Sequence, residues 1–412
     1  MTDDSEDKPD DLPNDLDFIL LADNSSMHFC RKLKKILRTK KPSFKFEVKP
    51  VVNRRHDDGE KYIQVPSVRE QEIFLVNLVQ HPHRISMKRE RFTRQQLAEL
   101  LHKSESPASS LYSLFLMEDA LVRGDVERFS VIMPYWPDMR SDKKDEPGTS
   151  INSRVSAKLM QAAGEGKLRR FITCDMHASQ LQGFFDCPAD NLYCVPMFEW
   201  YIKNRLFPEF QNQNGIRGGN LRDEFIVVAF DAGGVRANRK LARNLGLDFV
   251  LVEKDRPKHT TEGGESQVSG IYGEAVKDKI ILSWDDIFGS GGTFEKAWLE
   301  LSKLGAKSLY FFTTHYVANP KYHEGRISKW AEERIHPKTR IFTTDTLYHA
   351  DAYLERWGIT ELSVAPLIAE ALHRIKTGRS VSEVFNNPGI MEKEFNRWYS
   401  YKEFCKEYSP SR

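Results

Sequence analysis

The chain has 412 residues, of which 40% are hydrophobic and 29% charged, with a formal net charge of +2. Such a length allows two or three domains with real cores, and the composition is that of a soluble globular protein. The near-neutral balance removes any global electrostatic case for nucleic acid or a membrane surface, and no apolar run approaches the ~20 residues of a membrane-spanning helix.

Residues 1–16 are dominated by Asp and Glu, which predicts a disordered acidic tail rather than a secretory signal. Short apolar strands are predicted at Phe18–Ala22, Ile73–Val79, Phe129–Pro134, Phe171–Asp175, Phe225–Phe230, Phe249–Glu253, Ile280–Trp284 and Leu309–Thr313. Helical patterns lie at Ser156–Ala163, Arg236–Leu245 and Phe294–Leu304. This alternation predicts parallel sheets covered by helices, a class that binds ligands at the carboxyl ends of its strands. Asp175, Asp231, Asp285 and Asp286 all fall at such ends. Residues 84–107 read as an exposed insertion with a helix near Gln95–Leu101, and 141–153 as a charged loop. Residues 257–270 read as a mobile lid, and the aromatic and charged tail from Pro388 predicts a helix at about Glu392–Tyr408. The cysteines, Cys30, Cys174, Cys187, Cys194 and Cys405, form no Cys-x-x-Cys pair and read as reduced thiols of a cytoplasmic protein.

The densest chemistry lies at 280–293. An apolar strand delivers adjacent carboxylates, Asp285 and Asp286, and a turn of small residues, Gly289, Ser290, Gly291, Gly292 and Thr293, opens a helix. Backbone N–H groups of such a turn converge on an anion, and the helix N-terminus favours it. The acids cannot bind phosphate, so they suit ribose hydroxyls or a magnesium shell. The plainer alternative is a helix cap after a buried strand. A second cluster, Cys174 to Asp186, sets Asp175 two residues from His177, either as divalent-ion ligands or as a carboxylate satisfying a buried His. A third, Phe230 to Arg236, has an Asp followed by a Gly pair that permits close backbone approach, or simply turns strand into helix.

These three clusters, in this order, resemble the ribose-phosphate pyrophosphokinase family, most closely over Asp175–Tyr193 with its Met-His-Ala-Ser-Gln-Leu-Gln-Gly-Phe-Phe-Asp run. The resemblance runs from about Asp17 to Phe385 and includes Val364 to Ala371. It implies an α/β fold of two tandem phosphoribosyltransferase-type domains, each a mainly parallel sheet flanked by helices. They would span 17–190 (with the 84–107 insertion) and 191–387, followed by an extension at 388–412. It implies a cytoplasmic homo-oligomer, a hexamer built from dimers, acting in nucleotide biosynthesis. The implied reaction moves diphosphate from ATP to the anomeric hydroxyl of ribose 5-phosphate, with magnesium as cofactor and alignment plus charge neutralisation as the catalytic means.

Position by position, Asp58, Gly59 and Glu60 match the family's ATP-binding segment, supplied by a neighbouring subunit, and Arg140 matches its ATP contact, with Ser141 at the nucleotide-touching position that follows. His177 and Asp231 match its magnesium positions, followed by Asp175, Asp186 and Asp190. Lys254 and Arg256 match its catalytic Lys-x-Arg; without the family, Lys-Asp-Arg is a charged strand end. Asp285, Asp286 and Gly289–Thr293 match the ribose-phosphate loop.

The chain also departs from the family. His56 replaces an aromatic before the ATP segment, and Ser141 replaces a Gln. Gly289-Ser290 stands where Asp-Thr is usual, and Phe230 where Pro is usual. The opened phosphate loop motivates an alternative acceptor, a substituted ribose 5-phosphate such as a nucleotide-linked ribose. A phosphoribosyltransferase and a non-catalytic regulatory subunit of a synthetase are further alternatives. The Asp58–Glu60 and His177 segments argue against the first, and retention of Lys254 and Arg256 against the second.

Overall fold

A computed structural model describes residues 16–23, 25–79, 106–214, 220–231, 233–255, 267–273, 276–318 and 339–407. These residues form two compact units. The first takes in described residues of 16–79, 106–173 and 178–191, and the second those of 174–177 and 192–407.

The strands of the first unit are β1 Phe18–Ala22, β2 Phe46–Pro50, β3 Val52–Arg55, β4 Lys61–Gln64, β5 Glu72–Val76, β6 Arg128–Ile132, β7 Leu168–Cys174 and β8 Ala189–Leu192. Six of them order as β2-β1-β5-β6-β7-β8, parallel at every pair from β2 to β7. Every residue of β1 and β5 is buried, because a parallel sheet covered on both faces needs near-continuous apolar strands. Helix Met27–Lys40 turns Phe29, Leu33, Ile36 and Leu37 inward at helical spacing. Helix Asn152–Ala163 starts four residues before the expected Ser156. Strands β3 and β4 form a separate antiparallel hairpin with Arg55 opposite Lys61. The acidic tail and the helix expected at Gln95–Leu101 lie outside the described residues.

The second unit contains β9 Phe225–Ala229, β10 Asp248–Asp255, β11 Gln267–Gly273, β12 Ile280–Phe288, β13 Ser308–Tyr316, β14 Thr339–Thr344, β15 Thr360–Leu362 and β16 Cys405–Lys406. The order is β11-β10-β9-β12-β13-β14-β15-β16. The inner pairs are parallel and both edge pairs antiparallel. Its core gathers Ile226, Val228, Phe288, Phe294, Phe311 and Tyr316. Helix Val235–Leu245 ends on Gly246 at φ 69°, a left-handed stop that suits glycine.

Three expectations change. Strand β12 continues past Trp284 to Phe288 because β13 runs beside it, pairing Asp285 with Thr313, Ile287 with His315 and Phe288 with Tyr316. The acids therefore sit inside a strand. Residues 267–270, expected within the lid, belong to β11 and are held by β10; 256–266 lie outside the described residues. The last helix is Pro388–Trp398, not Glu392–Tyr408. Pro388 is tolerated in its first turn, and the chain then turns so that Cys405 and Lys406 pair with the edge strand β15.

Candidate active site

The end of β7 delivers residues 174–177 to the second unit, where they meet the acids of β12. His177 Nδ1 lies 2.7 Å from Asp286 Oδ2, the imidazole half-exposed and the carboxylate largely covered. Asp286 N–H donates to Asp285 Oδ1 at 3.0 Å. Burial first, then the carboxylates of Asp286 and Asp231, push the Asp285 carboxyl well above its usual range. Burial pushes Asp286 the same way, but the hydrogen bond and charge of His177 outweigh it and hold Asp286 below the usual range. Asp231, half-buried just past β9, accepts the Gly234 N–H at 2.9 Å. Asp231, Asp285, Asp286 and His177 thus form one charged group within the second unit.

Behind them the support is dry. Asp175 is 4% exposed, at φ +33°, a backbone region that non-glycine residues occupy only when their surroundings hold them there. Its Oδ2 accepts the Thr314 hydroxyl at 2.6 Å and the Cys194 N–H at 3.1 Å. Burial raises its carboxyl to about 7. Next to Thr314, the buried His315 donates from Nε2 to the Cys174 carbonyl (3.0 Å) and meets the Thr346 hydroxyl at Nδ1 (3.0 Å). Burial lowers this imidazole to about 4 and keeps it neutral. Asn238 holds the backbone of Trp284, accepting its N–H at 2.8 Å and donating to its carbonyl at 2.7 Å.

The small-residue turn follows directly. Gly289 and Ser290 lead to Gly291 at φ 74°, which caps helix Gly292–Lys303, and Glu295 N–H returns to the Gly291 carbonyl at 2.9 Å. Ser290 is exposed, and Thr293 lies in the first helical turn. Lys254 lies on β10, where the register with β11 shifts after Glu253, and Arg256 lies outside the described residues.

The other sequence-derived positions lie in the first unit. Asp58, Gly59 and Glu60 are exposed in the β3–β4 turn, with Gly59 at φ 97° and Glu60 N–H on Asp58 Oδ1 (3.0 Å). Arg55 donates to Ser109 Oγ (2.8 Å) and Lys61 to Ser113 Oγ (2.7 Å), which fastens the hairpin to helix Pro107–Arg123. Arg140 is exposed. The Ser141 hydroxyl accepts the Asn152 N–H at 3.2 Å where a helix begins. Asp190 is ion-paired with Arg170 at 2.6 Å, while Asp186 is exposed and its N–H donates to Gln161. Sequence reasoning missed Asn238, Thr314 and His315. Of these, Asn238 carries a signal, a polar residue on the inward stripe shared with Leu241 and Ala242.

Family models match both halves: the N-terminal domain of ribose phosphate pyrophosphokinase over 18–164 and the phosphoribosyl transferase domain over 212–343. The chain is 34% identical over 333 residues to the ribose-phosphate pyrophosphokinase of Campylobacter jejuni, covering 81% of this chain and 89% of that protein. It is 33% identical over 291 residues to that of Thermotoga maritima, covering 69% and 82%. The crystal structure of phosphoribosylpyrophosphate synthetase from Mycobacterium smegmatis superposes with a TM-score of 0.62 at 25% identity, covering 88% of this chain and 99% of that one. Matches that span both halves of the chain and most of each relative establish that the chain belongs to the ribose-phosphate pyrophosphokinase family.

Proposed function

We propose that this chain transfers diphosphate from ATP to the anomeric hydroxyl of ribose 5-phosphate, giving 5-phosphoribosyl 1-diphosphate and AMP. The O1–Pβ bond forms as the hydroxyl releases its proton to solvent, the bond from Pβ to the α,β-bridging oxygen breaks, and AMP leaves with that oxygen. The reading rests on one observation, the Asp231, Asp285, Asp286 and His177 group immediately ahead of a small-residue turn and helix start.

Each residue then has a role. Asp285 and Asp286 hold ribose hydroxyls, while N–H groups of Gly289–Gly292 with Ser290 and Thr293 hold the 5-phosphate. Asp58, Gly59, Glu60, Arg140 and Ser141 hold the nucleotide. Lys254 and Arg256 stabilise charge on the transferring phosphates. Magnesium suits the site in the way that ion is usually held, by one or two protein groups plus substrate phosphates, for among the described residues no three His, Cys, Asp or Glu side chains gather as a metal group. His177 and Asp231 would hold it, and when bound it neutralises triphosphate charge. Asp175, turned onto Thr314, and Asp190, paired with Arg170, have other work, and the Asp186 N–H donates to Gln161.

The chain acts as a homo-oligomer in the cytoplasm. The described cysteines are free thiols, as a reducing compartment requires, and among the described residues no helix is long and apolar enough to cross a membrane. The test is product analysis by mass with ATP, magnesium and a panel of ribose phosphates. AMP and a diphosphorylated ribose 5-phosphate are expected. Equal AMP release with a substituted ribose would replace the acceptor, a reading motivated by Gly289-Ser290. A chain inert alone that alters a companion synthetase would be a regulatory subunit.

A further inference from the structure

Strand β12 loses its neighbour just before its acids. Its pairing with β9 covers Ile280, Ile281 and Leu282, and β9 itself stops at Ala229. Beyond that point a side chain takes over. Asn238, fully buried on helix Val235–Leu245, accepts the Trp284 N–H at Oδ1 and donates from Nδ2 to the Trp284 carbonyl. A carboxamide carries the same planar donor and acceptor as a peptide group, so this one side chain reproduces both hydrogen bonds of an absent strand.

The same nitrogen also donates to the Gly234 carbonyl at 3.0 Å, while Gly234 N–H caps Asp231. A Cβ at position 234 would sit 3.1 Å from Asn238 Nδ2, so a side chain there would crowd this contact by a few tenths of an ångström. One residue therefore joins the turn that carries Asp231 to the residue that precedes Asp285.

We propose that Asn238 is a positioning residue for sugar binding, holding Asp285 and Asp286 at a fixed spacing from Asp231 without touching the reacting groups. This rests on the functional reading above, in which the two strand acids hold ribose hydroxyls.

Steady-state kinetics on the purified full chain tests it, with ATP, magnesium and ribose 5-phosphate. Asn238→Ala is expected to raise the KM for ribose 5-phosphate about tenfold, the scale of one misplaced hydrogen bond to a charged group, and to leave the KM for ATP within about twofold. Leu241→Ala, a buried apolar neighbour on the same helix, is the control. It is expected to lower the melting temperature at least as much while the sugar KM stays within about twofold. Should Asn238→Ala not fold, Asn238→Asp keeps the shape and the bond from Trp284 N–H but loses the donation to its carbonyl. A several-fold rise in sugar KM is expected there. An unchanged sugar KM in both Asn238 variants, or an equal rise in Leu241→Ala, would overturn the proposal alone. A wild-type chain inert toward ribose 5-phosphate would overturn the functional reading and this proposal with it.

Discussion

The Thr314 hydroxyl donates a 2.6 Å hydrogen bond to Oδ2 of Asp175, a buried carboxyl that also accepts the Cys194 N–H. A residue in β13 thereby fixes the backbone that presents His177 to Asp286. Thr314→Val keeps the shape of the side chain and deletes the donor. A buried acceptor stripped of a partner costs ~1–3 kcal/mol. The denaturant midpoint of Thr314→Val should fall by that amount, and a change under about 0.5 kcal/mol would mean that the bond carries no stability.

His315 makes stability depend on pH in a definite direction. The folded chain holds this imidazole neutral down to about 4, whereas an unperturbed imidazole takes up a proton near 6.5. Between those values the unfolded chain binds the extra proton, so the contribution of His315 is present above 6.5 and is lost as pH falls toward 4. The loss has a ceiling of about 3 kcal/mol. Asp175 acts oppositely, because burial keeps it protonated to about 7 in the folded chain and stability falls as pH rises from about 4 to 7. The difference between wild type and His315→Gln removes that background. Unfolding free energies measured from pH 4 to pH 7 should show a shallower fall toward acid in the variant, and parallel curves would rule the contribution out.

The β3–β4 hairpin presents Asp58, Gly59 and Glu60 from a helix to which side chains fasten its turn end, Arg55 to Ser109 and Lys61 to Ser113. Arg55 and Lys61 are partly exposed donors that keep access to water when the serines are lost, so these contacts stabilise little. Replacing both serines by alanine should cost under about 1 kcal/mol yet let the turn wander. The KM for ATP should rise roughly threefold to tenfold with the sugar KM unchanged. An unchanged ATP KM would detach the hairpin from nucleotide binding.

In the proposed reaction Lys254, at the irregular end of β10, is the residue whose charge is needed most while diphosphate is in transit. Lys254→Ala should lower kcat roughly a hundredfold or more with much less effect on ATP binding. Equal losses in rate and in ATP affinity, measured by titration and steady-state kinetics, would make it a plain binding residue.

Much of the site was legible where a signal is local. Ile280 to Thr293 announces itself because an apolar run, two acids and a glycine-rich turn follow in direct succession. The extent of β12 was not legible, since Asp285 to Phe288 become strand only through β13 residues some thirty positions away. Nor was the His177–Asp286 contact, which spans 109 residues. Strands such as β14, Thr-Arg-Ile-Phe-Thr-Thr, escape notice because threonine serves strand and loop equally in a short window. The sequence predicts the C-terminal helix too late because Tyr399, Tyr401 and Phe404 prolong an aromatic pattern that the chain spends on a turn.

That turn leads to a buried ionic cluster that fixes the tail to the sheet. Lys406 on β16 bridges Glu361 Oε1 at 3.0 Å and Asp351 at 2.8 Å, while the other Glu361 oxygen faces His349 Nδ1 at 3.0 Å and His349 Nε2 donates to the Tyr316 carbonyl. Glu361 is 3% exposed and His349 equally sheltered, so the carboxylate has little access to water. Lys406→Met should therefore lower stability by ~3–5 kcal/mol, the cost of leaving a buried carboxylate without its ion-pair partner. Adding Glu361→Gln removes the charge that Lys406 offsets, and the double variant should recover part of the loss, a positive coupling in the double-mutant cycle. Additive losses in thermal and denaturant unfolding would instead show that Lys406 acts through Asp351 and the surface, not through the sheet edge.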